Sequence, residues 1–207
     1  MAGKRILLIQ GHPDASAVHL GHALADAYAK GAAAAGHEVR RVEVARLDFP
    51  LLRSQHEWEH SPVPAALEGA QADIAWAEHL VIFFPLWLGD MPAVLKAFLE
   101  QVARPGFAFK GEGRNPFAHK GLTGRSARVV VTMGMPALVY RWYFRAHSLK
   151  SLERNILGFV GIAPIHETLI GMVGQGEGAV DANARRPKPF KAGQWLAKLQ
   201  ALGAAGD

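Results

Sequence analysis

With 207 residues, half of them hydrophobic, the chain has the size and apolar content of one α/β domain, and a single domain over residues 1–207 is expected. Its net charge of +5 and isoelectric point near 9.7 come from scattered basic residues rather than an aromatic-bearing basic stripe, so no nucleic-acid partner is expected. The lack of cysteine excludes disulfides, thiolate catalysis and cysteine-ligated centres; ten histidines leave other metal sites arithmetically open, and none is assigned. The longest apolar stretch, residues 80–88, is far short of the roughly 20 residues that cross a bilayer, and no signal-peptide pattern precedes the first strand. A cytoplasmic protein without membrane insertion is expected.

The first element is a buried strand, residues 4–10, followed by the turn Gly11-His12-Pro13-Asp14-Ala15-Ser16-Ala17 and an alanine-rich helix over residues 18–35. That helix places Leu20, Leu24, Ala27 and Gly31 on one stripe and stops at Gly36. Strands are then expected at 38–44, 79–85, 127–132 and 164–172, with crossover helices at 65–77, 92–102 and 149–158. A closing helix at 192–202 buries Trp195, Leu196 and Leu199. Alternating strands and helices imply a parallel sheet covered on both faces. Five strands fit the doubly wound order 2-1-3-4-5, whose ligand crevice opens where strands one and three diverge. The connection 104–125, rich in glycine, proline and charge, exceeds ordinary loop length and is expected to complete a pocket or an interface. The densest basic cluster, residues 185–191, reads first as a solvated loop before the last helix.

Chemistry concentrates in the turns at the carboxyl ends of strands one and three. Small residues ahead of a helix leave backbone N–H groups pointing at solvent, which is where phosphate is favoured. Ser16 can cap the helix or donate to phosphate, and His12 can donate from its ring. Asp14 would repel a phosphate if it pointed inward, so it is assigned to forming the turn. The second turn, Phe84-Pro85-Leu86-Trp87-Leu88-Gly89-Asp90-Met91-Pro92, puts a tryptophan at the crevice, where it can wall a flat ring. Neither G-x-G-x-x-G nor G-x-x-x-x-G-K-[ST] follows the first strand, which disfavours ordinary dinucleotide-fold NAD binding and P-loop phosphoryl transfer. Phe84-Pro85 stands where a phosphoacceptor aspartate would end strand three.

Four segments in order, G-H-P-D-x-S-x, F-F-P-L-W-L-G-D-M-P-A-V-L-K-A-F-L-E-Q-V, P-G-F-A-F and V-V-V-T-M-G-M-P, resemble the flavodoxin-like NAD(P)H:quinone oxidoreductases over residues 5–174. The resemblance implies a flavodoxin-like fold, a bound FMN or FAD, NAD(P)H as reductant, a quinone-type acceptor and a homodimer with shared active sites. By position it implies that His12, Ser16, Ala17, Val18 and His19 hold the flavin phosphate. Pro85, Leu86, Trp87 and Leu88 would line the ring on one side, and Thr132, Met133, Gly134 and Met135 on the other. The chain departs from the pattern at His19, at Trp87-Leu88 and at Met133 and Met135. Some members relay charge through a Tyr and a His after the third turn; Tyr143 and His147 are the candidates here, within a segment Tyr140, Trp142, Tyr143, Arg145, His147 that serves equally well as dimer core. The implied alternatives are a flavin-binding regulatory subunit of a potassium-efflux system and a flavodoxin-type electron carrier.

Overall fold

The computed structural model describes residues 3–17, 19–110, 120–174 and 191–207. Five strands, β1 (Arg5–Gln10), β2 (Glu38–Glu43), β3 (His79–Pro85), β4 (Ser126–Thr132) and β5 (Ile165–Ile170), form one all-parallel sheet in the order β2-β1-β3-β4-β5. Beyond their amino ends the interior strands are largely apolar runs because helices cover both faces. β2 lies at an edge and carries Arg40 and Arg41, charges suited to an exposed edge. The expected fold class and order are those observed.

One face is covered by α1 (Leu20–Ala34) and α8 (Ala192–Ala205). Two glycines set their separation. A Cβ on Gly31 would lie 1.9 Å from the Gln200 carbonyl oxygen, and one on Gly203 would lie 2.0 Å from that of Tyr28. Only hydrogen at both positions lets these helix backbones come this close. This is why α8 runs through Gly203 to Ala205, beyond the expected end at 202. Leu199 is fully buried, while Trp195 and Leu196 are partly buried against the same cluster.

The opposite face is covered by α3 (Ala65–Trp76), α4 (Ala93–Val102) and a helical run over residues 147–160. In α4, Leu95, Phe98 and Val102 are buried and Val94 is partly buried, the inward stripe expected from spacing. The last run consists of α6 (His147–Ser151), a π-helical stretch (Leu152–Leu157) and α7 (Gly158–Val160). Two short helices had no sequence expectation, α2 (Gln55–His60) and α5 (Ala137–Trp142). Among the described residues no helix is long and apolar enough to cross a membrane.

Beneath α1 and α8, the amino ends of the strands hold a polar layer rather than more core. His79 is 1% exposed and its Nδ1 lies 2.7 Å from Ser126 Oγ. Arg128, also buried, donates to Thr168 Oγ1 at 2.9 Å and to Asp207 Oδ2 at 2.8 Å, and His166 Nδ1 lies 2.5 Å from the other Asp207 oxygen. Burial tends to raise the Asp207 carboxyl, but hydrogen bonding from His166 and the Arg128 charge hold it below its ordinary value.

Candidate functional site

The order of strands reverses between β1 and β3, and the turns that follow them meet at the top of the sheet. Gly11 N–H donates to the Phe83 carbonyl at 2.7 Å, which fixes the first turn to β3. Gln10 Oε1 accepts from His12 N–H at 3.1 Å, and His12 Nδ1 accepts from Asp14 N–H at 3.1 Å. The His12 proton therefore sits on Nε2 in the neutral ring. Burial, and then the neighbouring His19, lower the His12 pKa.

Asp14 organises the rest of the turn. Its Oδ1 accepts from Ser16 N–H at 2.8 Å and Ser16 Oγ–H at 2.6 Å, and its Oδ2 lies 2.8 Å from His19 Nε2. The Ser16 hydroxyl and amide, followed by His19, hold the Asp14 carboxyl far below the usual carboxylate range. Its lone pairs are thus spent inside the turn, consistent with the turn-forming role assigned from sequence. Helix capping differs from expectation. The N-cap of α1 is His19, not Ser16, and His22 Nδ1 accepts from His19 N–H at 3.2 Å. Ser16 does not cap because its hydroxyl and amide are bound to Asp14, and α1 begins at Leu20 rather than 18.

The N–H groups of Ala15 and Ala17 have no acceptor among the described residues. They alternate with the Asp14 and Ser16 amides, which are used internally. Two open amides, the amino end of α1 and the His12 Nε2–H form a donor set chemically suited to an anion. Val18, the remaining residue of this proposed set, lies outside the described residues.

The second turn is a two-residue reversal. Trp87 and Asp90 exchange backbone hydrogen bonds at 2.8 and 2.9 Å, and the intervening Leu88 and Gly89 have φ of +49° and +83°. Positive φ at both central positions is what a type I′ turn requires, and for Leu88 it is strained. The reversal brings Trp87, half exposed, and Leu88, fully exposed, out of the core and up to the crevice mouth. Pro85 and Leu86 stay partly buried, and Leu86 N–H donates to the Thr132 carbonyl at 2.8 Å. The Trp87 ring meets the edge of His12 at 5.9 Å, and His12 stacks on His19 at 3.9 Å, so turns one and two form one continuous wall.

The third turn is braced by β5. Met133 N–H donates to the Ile170 carbonyl at 2.9 Å, and Met172 N–H to that of Met135 at 3.1 Å. Thr132 and Met133 are buried, Met135 is partly buried, and a Cβ on Gly134 would meet nothing nearer than 3.8 Å. Beyond this turn the aromatic segment divides. Tyr140 is buried, its Oη 2.7 Å from Ser148 Oγ and accepting from Leu149 N–H at 3.2 Å, which gives it a structural role. Tyr143 and His147 are exposed. Sequence reasoning did not single out His22 or Gln10, whose roles depend on a neighbour's backbone and carry no motif. The basic cluster at 185–190 and residues 111–119 of the long connection lie outside the described residues.

A flat ring with a phosphate tail fits this architecture: open amides at one end, an aromatic wall at the other, and the contact between His12 and Trp87 joining them. A family model described as flavodoxin-like fold matches residues 4–189. The chain is 33% identical over 96 residues to the ribosyldihydronicotinamide dehydrogenase-like protein traD of Penicillium crustosum, covering 43% of this chain and about a third, 35%, of that protein. It is 27% identical over 186 residues to an FMN-dependent NADH:quinone oxidoreductase of Nitratidesulfovibrio vulgaris, covering 80% of this chain and 85% of the relative. The solved NAD(P)H:quinone oxidoreductase from Methanothermobacter marburgensis shares its fold with a TM-score of 0.76 at 20% identity, over 100% of this chain and 97% of that one.

Proposed function

The chain belongs to the flavodoxin-like fold family, and from that premise we propose that it is a flavin-dependent NAD(P)H oxidoreductase that reduces quinones or similar two-electron acceptors. The observation that carries this reading is the meeting of a turn whose Ala15 and Ala17 amides have no acceptor among the described residues with a tryptophan-bearing turn at the β1/β3 switch point. A relative named as an FMN-dependent NADH:quinone oxidoreductase over most of its length supports it. The cofactor is FMN or FAD, and residues 1–207 act as one flavin-binding domain.

In this reading a bound flavin supplies the hydride chemistry. The protein's own residues bind and orient. His12 Nε2–H, the amides of Ala15 and Ala17, Ser16, Val18 and His19 surround the phosphate. Pro85, Leu86, Trp87 and Leu88 wall one edge of the ring, and Thr132 to Met135 the other. The Met133 amide is committed to Ile170, whereas the Met135 amide has no acceptor among the described residues and would be the one available to favour negative charge on a bound ring. Tyr143 and His147, both exposed, are the proposed donors to an acceptor oxygen.

Leu138, Trp142, Tyr143 and Phe144, exposed by 69, 76, 79 and 46%, form an apolar surface that a second copy of the chain covers in the proposed homodimer. Because one crevice serves both co-substrates in turn, steady-state kinetics should give parallel double-reciprocal lines. Intersecting lines would contradict this order of binding, and absence of NAD(P)H oxidation with any quinone would contradict the proposed reaction and leave flavin binding alone.

A further inference from the structure

A groove leaves the second turn and runs away from the phosphate end. Its upper part, a cavity of about 460 Å³, is lined mainly by Trp87, Leu88, Met91, Pro92, Lys96 and Ile156, with Asp90 and Ser151 as further polar members. Lys96 and Ile156 also line the next section, a slot of about 220 Å³ walled by Leu52, Trp58, Leu99, Phe109, Phe159 and Val160. The two cavities therefore adjoin across a shared wall. Below the slot, a void of about 40 Å³ shares Leu99, Ala103, Ile156 and Val160, so the floor is loosely packed.

The slot is built, not incidental. Trp58 Nε1–H donates to the Ala103 carbonyl at 2.9 Å, holding the indole edge-on to Phe109 at 5.9 Å, and Phe109 meets Phe159 at 5.3 Å. The buried Arg104 guanidinium donates to the Glu57 and Ser61 carbonyls and so pins the short helix that carries Trp58. The π-helical stretch supplies Asn155 and Ile156 to the other side; such stretches are frequent at functional sites. Lys96 directs its ammonium to Glu100 and offers the groove its hydrocarbon stem.

We propose that this groove takes the prenyl tail of a lipid-type quinone whose head ring lies against Trp87. The inference rests on the quinone-reducing reading and extends it to a substrate class. Its support is adjacency: the upper cavity starts at the wall assigned to the ring, and the slot beside it is walled mainly by aromatic and aliphatic side chains, with Asn155 and the Lys96–Glu100 pair as its polar members. A tail ending in a carboxylate fits less well, because Lys96 is already paired with Glu100 and a second carboxylate, Asp90, lines the upper cavity. Branched methyl-bearing units suit a slot walled by three aromatic rings and aliphatic side chains.

The test uses the flavin-loaded protein with a tailless benzoquinone, ubiquinone-0, and a diprenyl one, ubiquinone-2. The diprenyl compound should have a KM at least about tenfold lower at similar kcat, since each buried methylene is worth several-fold in binding. Phe159→Glu, which places a carboxylate in the slot, should abolish that ratio. Farnesol, a tail without a quinone, should give binding heat with the parent and none with Phe159→Glu. Equal KM values with no farnesol binding would overturn the tail site while leaving quinone reduction intact. Failure to reduce either quinone would remove the underlying reading, and the tail proposal with it. A parent that sediments as a dimer and a Phe159→Glu variant that sediments as a monomer would assign the slot to a second copy and overturn the proposal.

Discussion

Ser16→Asp should raise the dissociation constant for flavin at least about tenfold. The parent hydroxyl and amide both donate to Asp14 Oδ1, at 2.6 and 2.8 Å. A carboxylate at position 16 would face that oxygen as a second anion and lie beside the proposed phosphate. Anions are favoured by up to ~2 kcal/mol at a helix amino end, and a resident carboxylate competes for that stabilisation. Since ~1.4 kcal/mol corresponds to a factor of ten, repulsion from Asp14 and phosphate brings the loss to that scale or beyond. Ser16→Ala should have a smaller effect, because it removes a hydroxyl bond without adding charge. Flavin fluorescence titration measures both variants, with the melting temperature as a control for folding. An aspartate variant that titrates like the parent would place the phosphate elsewhere.

Acidification from pH 7 to pH 4.5 should destabilise the parent more than a His79→Gln variant, by roughly 2–3 kcal/mol. Burial lowers the His79 pKa to about 4, with the positive charge of Lys4 adding to the effect. Arg128 and His166 act in the same direction and Asp207 opposes them. The imidazole thus stays neutral in the folded protein over a range where the unfolded chain, near pH 6.5, takes up a proton. Its contribution is present in full above about pH 6.5 and is lost as pH falls towards 4. Glutamine keeps a polar partner for Ser126 Oγ but does not titrate. Urea unfolding of both proteins at the two pH values isolates the difference, and parallel loss of stability would show that His79 is protonated in the fold.

The elements legible in the sequence are those whose local pattern and tertiary role agree. β3 matches its expected span, 79–85, because its apolar residues are flanked by a crossover helix and a proline-bearing turn. α2 gave no signal, since none of Gln55–His60 is buried and there is no apolar stripe to read. The expected end of the last helix at 202 falls short, since Gly203 sits inside α8, where its missing side chain admits the Tyr28 carbonyl. The first turn was readable as a tight turn between β1 and α1, but the division of labour within it was not. Which residue caps α1 depends on Asp14 folding back on Ser16 and His19, a three-residue arrangement with no periodicity. Trp87 was placed at the crevice from its position after β3, while its half exposure follows from positive φ at Leu88. The layer joining His79, Arg128 and Asp207 brings together residues far apart in the chain and leaves no local mark.

The central claim is that the β1 and β3 turns together hold a flavin. Purified protein, stripped and then titrated with FMN and with FAD, should take up one flavin per chain, and denaturation should release the bound species intact for identification by chromatography. Colourless protein that binds neither flavin would contradict the assignment.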